Sequence, residues 1–174
     1  MEVAPRVGDG IVLLSEIMRY SITDFTATNG LAKLENELEN IENVIQLNNF
    51  RFENALYIKF DVVGNAANKY ITPMILISLV ENMFKHGDLQ DEASPAFIQC
   101  TIEETTEKII FTTLNKCNKS KVVIPGGLGT GNIIKRLELL YENNYTLAFE
   151  EQVSIYTSKL VIPYYDTYIK KIGA

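Results

Sequence analysis

The residue types best suited to chemistry in this chain of 174 residues fall in three short segments. In Leu79 to Gly87, LVENMFKHG, helical spacing gathers Glu81, Asn82, Lys85 and His86 on one side and leaves Val80, Met83 and Phe84 to face a core. Asn82 stands one turn from His86, and Glu81 one turn from Lys85. A carboxylate, an amide oxygen and cationic donors at one place suit a magnesium-bound polyphosphate. A hard cation takes oxygen ligands, and phosphate oxygens take Lys or His donors. A solvated helix face closed by Gly87, with Glu81 and Lys85 as a surface ion pair, accounts for the same residues.

The second segment is Gly126 to Asn132, GGLGTGN. Glycines let the backbone approach an anion, and the free N–H groups of a helix start attract negative charge. A flexible loop entering a helix reads equally well. The segment fails the Walker A pattern, because Asn132 and Ile133 stand where Lys and Ser/Thr follow the last Gly. It also fails the dinucleotide fingerprint, since Asn132 takes the third glycine position and too little chain follows to finish a Rossmann sheet. The third segment is Leu114 to Cys117, LNKC, where Asn115 can either hydrogen-bond a purine edge or start a turn.

Composition removes other chemistries. A single histidine, His86, excludes zinc sites built on paired histidines and leaves a Ser-His-Asp arrangement without a nucleophile motif beside it. A net charge of -6 without a Lys/Arg cluster argues against nucleic acid as a partner. Cys100 and Cys117 are not needed as a framework at this length and fit a reducing, cytoplasmic setting. The longest apolar stretch, Ile71 to Val80, covers about half the roughly 20 residues of a membrane-spanning helix. The N-terminus lacks the basic flank and apolar core of a secretion signal.

The elements that must position these segments read in two textures. Ile11 to Ile22 and the stretch from Leu31 through Leu34, Leu38, Ile41 and Ile45 are amphipathic helices, separated by the loop Asp24 to Gly30. They serve either as core-covering helices or as a hairpin that pairs with a second copy. After Asn54 the pattern gives a strand at Ala55 to Val63 and a helix at Ile71 to His86 with Pro73 in its first turn. Strands follow at Phe97 to Glu103 and Lys108 to Leu114, then a helix at Thr130 to Tyr141. A terminal hairpin, Thr146 to Phe149 and Val153 to Ile162, turns at Glu150 to Gln152. Strands arriving in pairs favour an α+β fold, a two-layer α/β sandwich with a mixed sheet, preceded by N-terminal helices.

Taken together, the three segments resemble the nucleotide-binding boxes of the gyrase, Hsp90, histidine kinase and MutL superfamily, and within it the LytS-type sensor histidine kinases. LVENMFKHG resembles their N box, L-V-E-N-A-hydrophobic-K-H-G. GLGTGNIIKRLELLY resembles their G-hydrophobic-G-hydrophobic-x-N-V-x-x-R-L-x-L-L-Y segment. Upstream, LLSEIMRYSI looks like the family's L-S-x-L-L-R-Y-S-L stretch and LENELENIENVIQLNNFRFENAL like its helix ending in Arg-Phe. The resemblance spans roughly residues 12 to 163.

The resemblance implies a helical dimerisation region at 1–53, a histidine kinase ATPase-like domain at 54–174, and ATP with Mg2+ as the cofactors. By position, Asn82 ligates the magnesium that bridges the phosphates, and Glu81 lies beside the reaction as a base toward the accepting histidine. Lys85 and His86 sit near phosphates or ribose, Asn115 reads adenine, and Gly127 and Gly129 belong to the loop over the phosphates. It further implies a response regulator as partner, a homodimer through the N-terminal helices, and a longer, membrane-anchored sensor whose cytoplasmic part this is.

The departures from the family are specific. Asn115 stands in place of an Asp, so its contact with an adenine amino group is that of a neutral amide. Cys117 replaces a Gly, and only eleven residues separate Asn115 from Gly127. No histidine precedes the LLSEIMRYSI segment, so the phosphoryl acceptor lies outside this chain. Two rivals follow: a non-catalytic interaction module of the same fold, and an ATPase of the superfamily in which Glu81 activates water.

Overall fold

A computed structural model describes residues 8, 10–20, 30–117 and 128–166. The expected loop before Gly30 and the glycines Gly126 and Gly127 lie outside the described residues. Four helices are seen: α1 (10–20), α2 (Leu34–Arg51), α3 (Ile75–His86) and α4 (Leu128–Tyr141). The strands are β1 (Ala32–Lys33), β2 (Ile58–Val63), β3 (Tyr70–Ile71), β4 (Gly87–Asp88), β5 (Ala96–Glu103), β6 (Lys108–Cys117), β7 (Thr146–Gln152) and β8 (Ile155–Pro163).

Five strands lie in the order β2-β5-β6-β8-β7, with β4 pairing β6 beyond the point where β5 begins. β2 runs parallel to β5 and every other pairing in the sheet is antiparallel, so the sheet is mixed, as expected. Alternation along the strands decides which face meets the helices. Ile98, Cys100 and Ile102 of β5, Ile109 and Phe111 of β6, and Leu160 and Ile162 of β8 are buried. They share one core with Ile75, Leu76 and Leu79 of α3 and Ile133 and Leu137 of α4. Asn115 continues the inward row of Ile109, Phe111 and Thr113 at period two, which carries it beneath the helices.

The amphipathic stretch from Leu34 forms α2 and buries Leu34, Glu37, Leu38, Asn40, Ile41 and Val44. Its apolar residues belong to the same core as α3 and the sheet. α2 therefore packs as a core-covering helix, although the domain reading groups it with the region before residue 54. α1 is mostly exposed: Ile11, Val12, Leu14 and Met18 face outward, and only Ile17 and Tyr20 pack against the core.

The strand expected from Ala55 begins at Ile58, and three further boundaries differ from expectation for a visible reason. The helix expected from Ile71 begins at Ile75, because Tyr70 and Ile71 pair with Lys33 and Ala32 and Met74 takes a left-handed φ of 63°. Pro73 therefore precedes the helix. β6 continues through Asn115 to Cys117, held between β4 and β8. The final hairpin turns at Val153 and Ser154, with φ of 47° and 77°, instead of at Glu150 to Gln152. Positive φ at both loop residues is the two-residue turn whose twist suits a hairpin. The usual Asn-Gly signal is missing, and the β-branched Val153 at positive φ is 99% exposed.

Candidate functional site

α3 is built so that one end is anchored and one side is open. Ile75, Leu76, Ile77, Leu79, Val80 and Met83 are buried, leaving Ser78, Glu81, Asn82 and Lys85 toward the outer side. α4 lies beside it, with Ile133, Leu137 and Tyr141 turned into the core and Asn132, Lys135 and Arg136 turned outward. The two outer sides form one open cavity of about 470 Å³, lined by Ser78, Glu81 and Asn82 from α3 and by Asn132, Lys135 and Arg136 from α4. A second cavity of the same volume separates α1 from α2, but its lining of Val12, Leu13, Gln46, Asn49, Phe50 and Asn54 carries no ionisable group. Chemistry therefore points to the first.

Its donor set is coherent. The Asn82 amide and the Glu81 carboxylate stand on one wall, and two cationic side chains stand on the other. Arg136 also donates to the Pro73 carbonyl oxygen at 2.7 Å, which ties the cationic wall to the turn that starts α3. Amide and carboxylate oxygens suit a hard divalent cation, while Lys135 and Arg136 suit the phosphate oxygens around it. These two cations were absent from the set expected from sequence. The GNIIKRL pattern shows them on a polar helix face, but only the packing of α4 against α3 aims that face at Asn82.

Lys85 and His86 do not line the cavity; they lie one turn further along α3. His86 is half-buried and Lys85 exposed. Past them, the α3 backbone enters β4, and Gly87 pairs with Cys117. Asn115 is 2% exposed and sits against this corner. A Cβ at residue 87 would meet the Met83 carbonyl oxygen at 2.7 Å and Asn115 Nδ2 at 3.0 Å, so only glycine allows α3 and Asn115 to approach this closely. Asn115 Nδ2 donates to the Lys116 carbonyl oxygen at 2.9 Å, whereas its Oδ1 is buried with no hydrogen-bond partner among the described residues. A buried amide oxygen without a donor is an acceptor held ready for one.

The expected constellation is thus divided. Glu81 and Asn82 share one cavity, Asn115 lies at the far end of the same helix, and Lys85 and His86 fall between. Gly129 is in the first turn of α4, and Gly127 lies outside the described residues. Both thiols are shifted toward the protonated form: burial pushes Cys100 up to about 12, and burial followed by the nearby Glu151 raises Cys117.

No protein-family model matches the chain. An uncharacterized sensor-like histidine kinase of Staphylococcus epidermidis is 31% identical over 107 residues, which is 61% of this chain and 20% of that protein. Sensor protein LytS of Staphylococcus saprophyticus is 22% identical over 174 residues, covering 93% of this chain and 29% of that protein. The chain is thus similar in sequence to sensor histidine kinases, LytS among them. It spans only 20 to 29% of the length of these relatives. Among solved structures, the Acinetobacter baumannii histidine kinase AdeS superposes with a TM-score of 0.52 at 13% identity, covering 88% of this chain and 76% of that one. The histidine kinase ThkA, crystallised in complex with the response regulator protein TrrA, gives 0.51 at 14% identity, covering 92% and 49%. At these identities the likeness establishes the fold, and with it the mixed sheet beneath helices that the strand pairing shows. In this structure α3 and α4, separate in sequence, line one cavity with Asn82 and Arg136.

Proposed function

We propose that this chain is the ATP-binding catalytic part of a two-component sensor histidine kinase, transferring the γ-phosphoryl group of ATP to a histidine outside the chain. The observation that carries the reading is the shared cavity: Glu81 and Asn82 on α3 face Lys135 and Arg136 on α4. Phosphoryl transfer depends on positioning and charge neutralisation more than on covalent chemistry by the protein. Bound Mg2+ would supply Lewis-acid neutralisation of phosphate charge, and the Asn82 amide oxygen, with the Glu81 carboxylate beside it, would hold it.

The chain's own residues supply the rest. Lys135 and Arg136 neutralise phosphate charge and hold the chain of phosphates along α4. Glu81 stands at the open edge, where it accepts the proton of an incoming imidazole as the phosphoryl group arrives. Lys85 and His86, one turn further along α3, are assigned to the phosphates or the ribose. Asn115 Oδ1 accepts from the adenine amino group, its orientation set by the bond from Nδ2 to Lys116. Gly129, in the first turn of α4, and Gly127, outside the described residues, are assigned to the phosphates.

In the whole protein the phosphoryl group passes on to a response regulator, the partner with which ThkA was crystallised. The outward apolar residues of α1, Ile11, Leu14 and Met18, recur at helical spacing and support association of two copies through this helix. Among the described residues no helix is long and apolar enough to cross a membrane. The relatives named as sensors support a longer, membrane-anchored protein with this part on the cytoplasmic side.

One observation favours the rival, a non-catalytic interaction module: Asn115 is closed off in this structure, so a base can reach it only if the corner at Gly87 opens. Calorimetric titration with ATP, with and without magnesium, decides between them. Magnesium-dependent heat supports the kinase reading. No heat at protein concentrations that reveal millimolar affinity, with no competition by ADP, replaces it with the interaction module.

A further inference from the structure

α3 begins without a cap of its own. A helix leaves its first N–H groups without partners, and a side chain at the N-cap normally meets one of them. Met74 holds that position and offers no side-chain acceptor. The acceptor comes instead from α2. Glu37 is 0% exposed, and its Oε2 accepts from the Met74 amide at 2.9 Å. Its Oε1 accepts from the amides of Leu76 at 3.1 Å and Ile77 at 3.4 Å. A carboxylate in this place also meets the positive end of the helix dipole. The remaining donor is the Tyr20 hydroxyl, which hydrogen-bonds Glu37 Oε2.

Tyr20 is the last described residue of α1 and is buried, while most of α1 is exposed. The hydroxyl is thus where α1 reaches the group that holds the start of α3. Two turns further along α3 stand Glu81 and Asn82.

We propose that Glu37 is a positioning residue for the nucleotide site and that the Tyr20 hydroxyl makes its grip on α3 depend on the seating of α1. The inference rests on the nucleotide-binding reading of the cavity. With Tyr20 in place, Glu37 is fully bonded and oriented, the first turn of α3 is closed, and Asn82 keeps its register against Arg136. With α1 displaced, Glu37 loses one donor and its orientation, and the first turn of α3 frays. Because binding couplings are reciprocal, nucleotide in the cavity tightens the seat of α1 by the same factor.

The test is Tyr20→Phe in the full chain, which keeps the ring and removes only the hydroxyl. Amide hydrogen exchange at Leu76 and Ile77 and the affinity for magnesium–ATP are the readouts, and Ile162→Val in β8 serves as the control for general loss of stability. The expected result is exchange at Leu76 and Ile77 faster by about tenfold, the effect of one charge-assisted hydrogen bond. This change exceeds that in the control, and nucleotide affinity falls by a similar factor. Exchange no faster than in the control, or faster exchange with unchanged affinity, overturns the proposal. If the unmodified chain binds no nucleotide, the proposed function fails instead, and exchange at the two amides alone decides whether Tyr20 governs the start of α3.

Discussion

Arg136 and Pro73, 63 positions apart in sequence, are joined by a hydrogen bond of 2.7 Å from the guanidinium to the carbonyl oxygen. Five residues further along α4, the Tyr141 hydroxyl accepts from the Thr72 amide at 3.1 Å. Two side chains of α4 thus hold the turn before α3, and one of them lines the cavity that Asn82 faces.

Arg136→Ala removes both the tie and a cavity cation. A hydrogen bond from a charged donor contributes roughly 1.5–3 kcal/mol, so Tm should fall by about 3–10 °C. Nucleotide affinity should fall with it. Arg136→Lys restores charge but not the planar donor fork, so it should recover more of the affinity than of the Tm. Melting curves with and without magnesium–ATP measure both quantities, and equal recovery of the two would refute the double role.

Asn82→Ala should abolish magnesium-dependent ATP binding while leaving the fold intact. Asn82 is half-buried beside the open cavity, so stability should change by no more than about 1 kcal/mol. Titration of the variant with unchanged affinity would remove Asn82 from the metal site.

Asn115→Asp should act in opposite directions with and without nucleotide. Without it, a carboxylate replaces a buried amide and loses the donation to the Lys116 carbonyl, so Tm falls. With magnesium–ATP, a charged acceptor meets the adenine amino group, so the gain in Tm on adding nucleotide is larger than in the unmodified chain. A smaller gain would place the base elsewhere.

Glu37→Gln should change how stability varies with pH. Burial raises the Glu37 carboxyl above its ordinary value of 4.5, and bonds from Tyr20 and the amides of Met74, Ile77 and Leu76 lower it only part of the way back. The folded chain then holds this proton more tightly than the unfolded one. The stability it contributes is complete below pH 4.5 and is lost as pH rises through the folded value. Of the groups facing it, Tyr20 donates a hydrogen bond, and burial pushes the Tyr141 phenol up to about 12, outside this window. Denaturant unfolding from pH 4.5 upward should show a decline in the unmodified chain that is absent in Glu37→Gln. Parallel curves would mean that Glu37 keeps one protonation state in both forms.

The sheet strands and α3 and α4 were legible because their signals are local. Lys108 to Leu114 is rich in the β-favouring residues Ile, Phe and Thr, and Ile133, Leu137 and Tyr141 recur at helical spacing. The two-residue strands β1, β3 and β4 were not legible. A pair such as Tyr70 and Ile71 has too few residues for a period, and its extended form depends on Ala32 and Lys33 arriving alongside.

The site divides in the same way. Glu81 and Asn82 stand out because a polar cluster follows a very apolar run, and Asn115 because it closes a β-favouring segment. Glu37 was passed over: a glutamate among the glutamates and asparagines of LENELENIEN has the ordinary appearance of a solvated helix face. Lys135 and Arg136 read as one more exposed pair.

Residue type and spacing along the chain determined which elements form and which polar groups each one carries, since helix and strand periods are properties of a single segment. Which of those groups meet was decided only in three dimensions. Glu37 became buried because Met74 leaves α3 without an acceptor of its own and α2 crosses at that point. Arg136 became part of the cavity because α4 packs its apolar side into the same core as α3. Both outcomes depend on the angle and register between elements, which are set by core packing and have no period in the sequence.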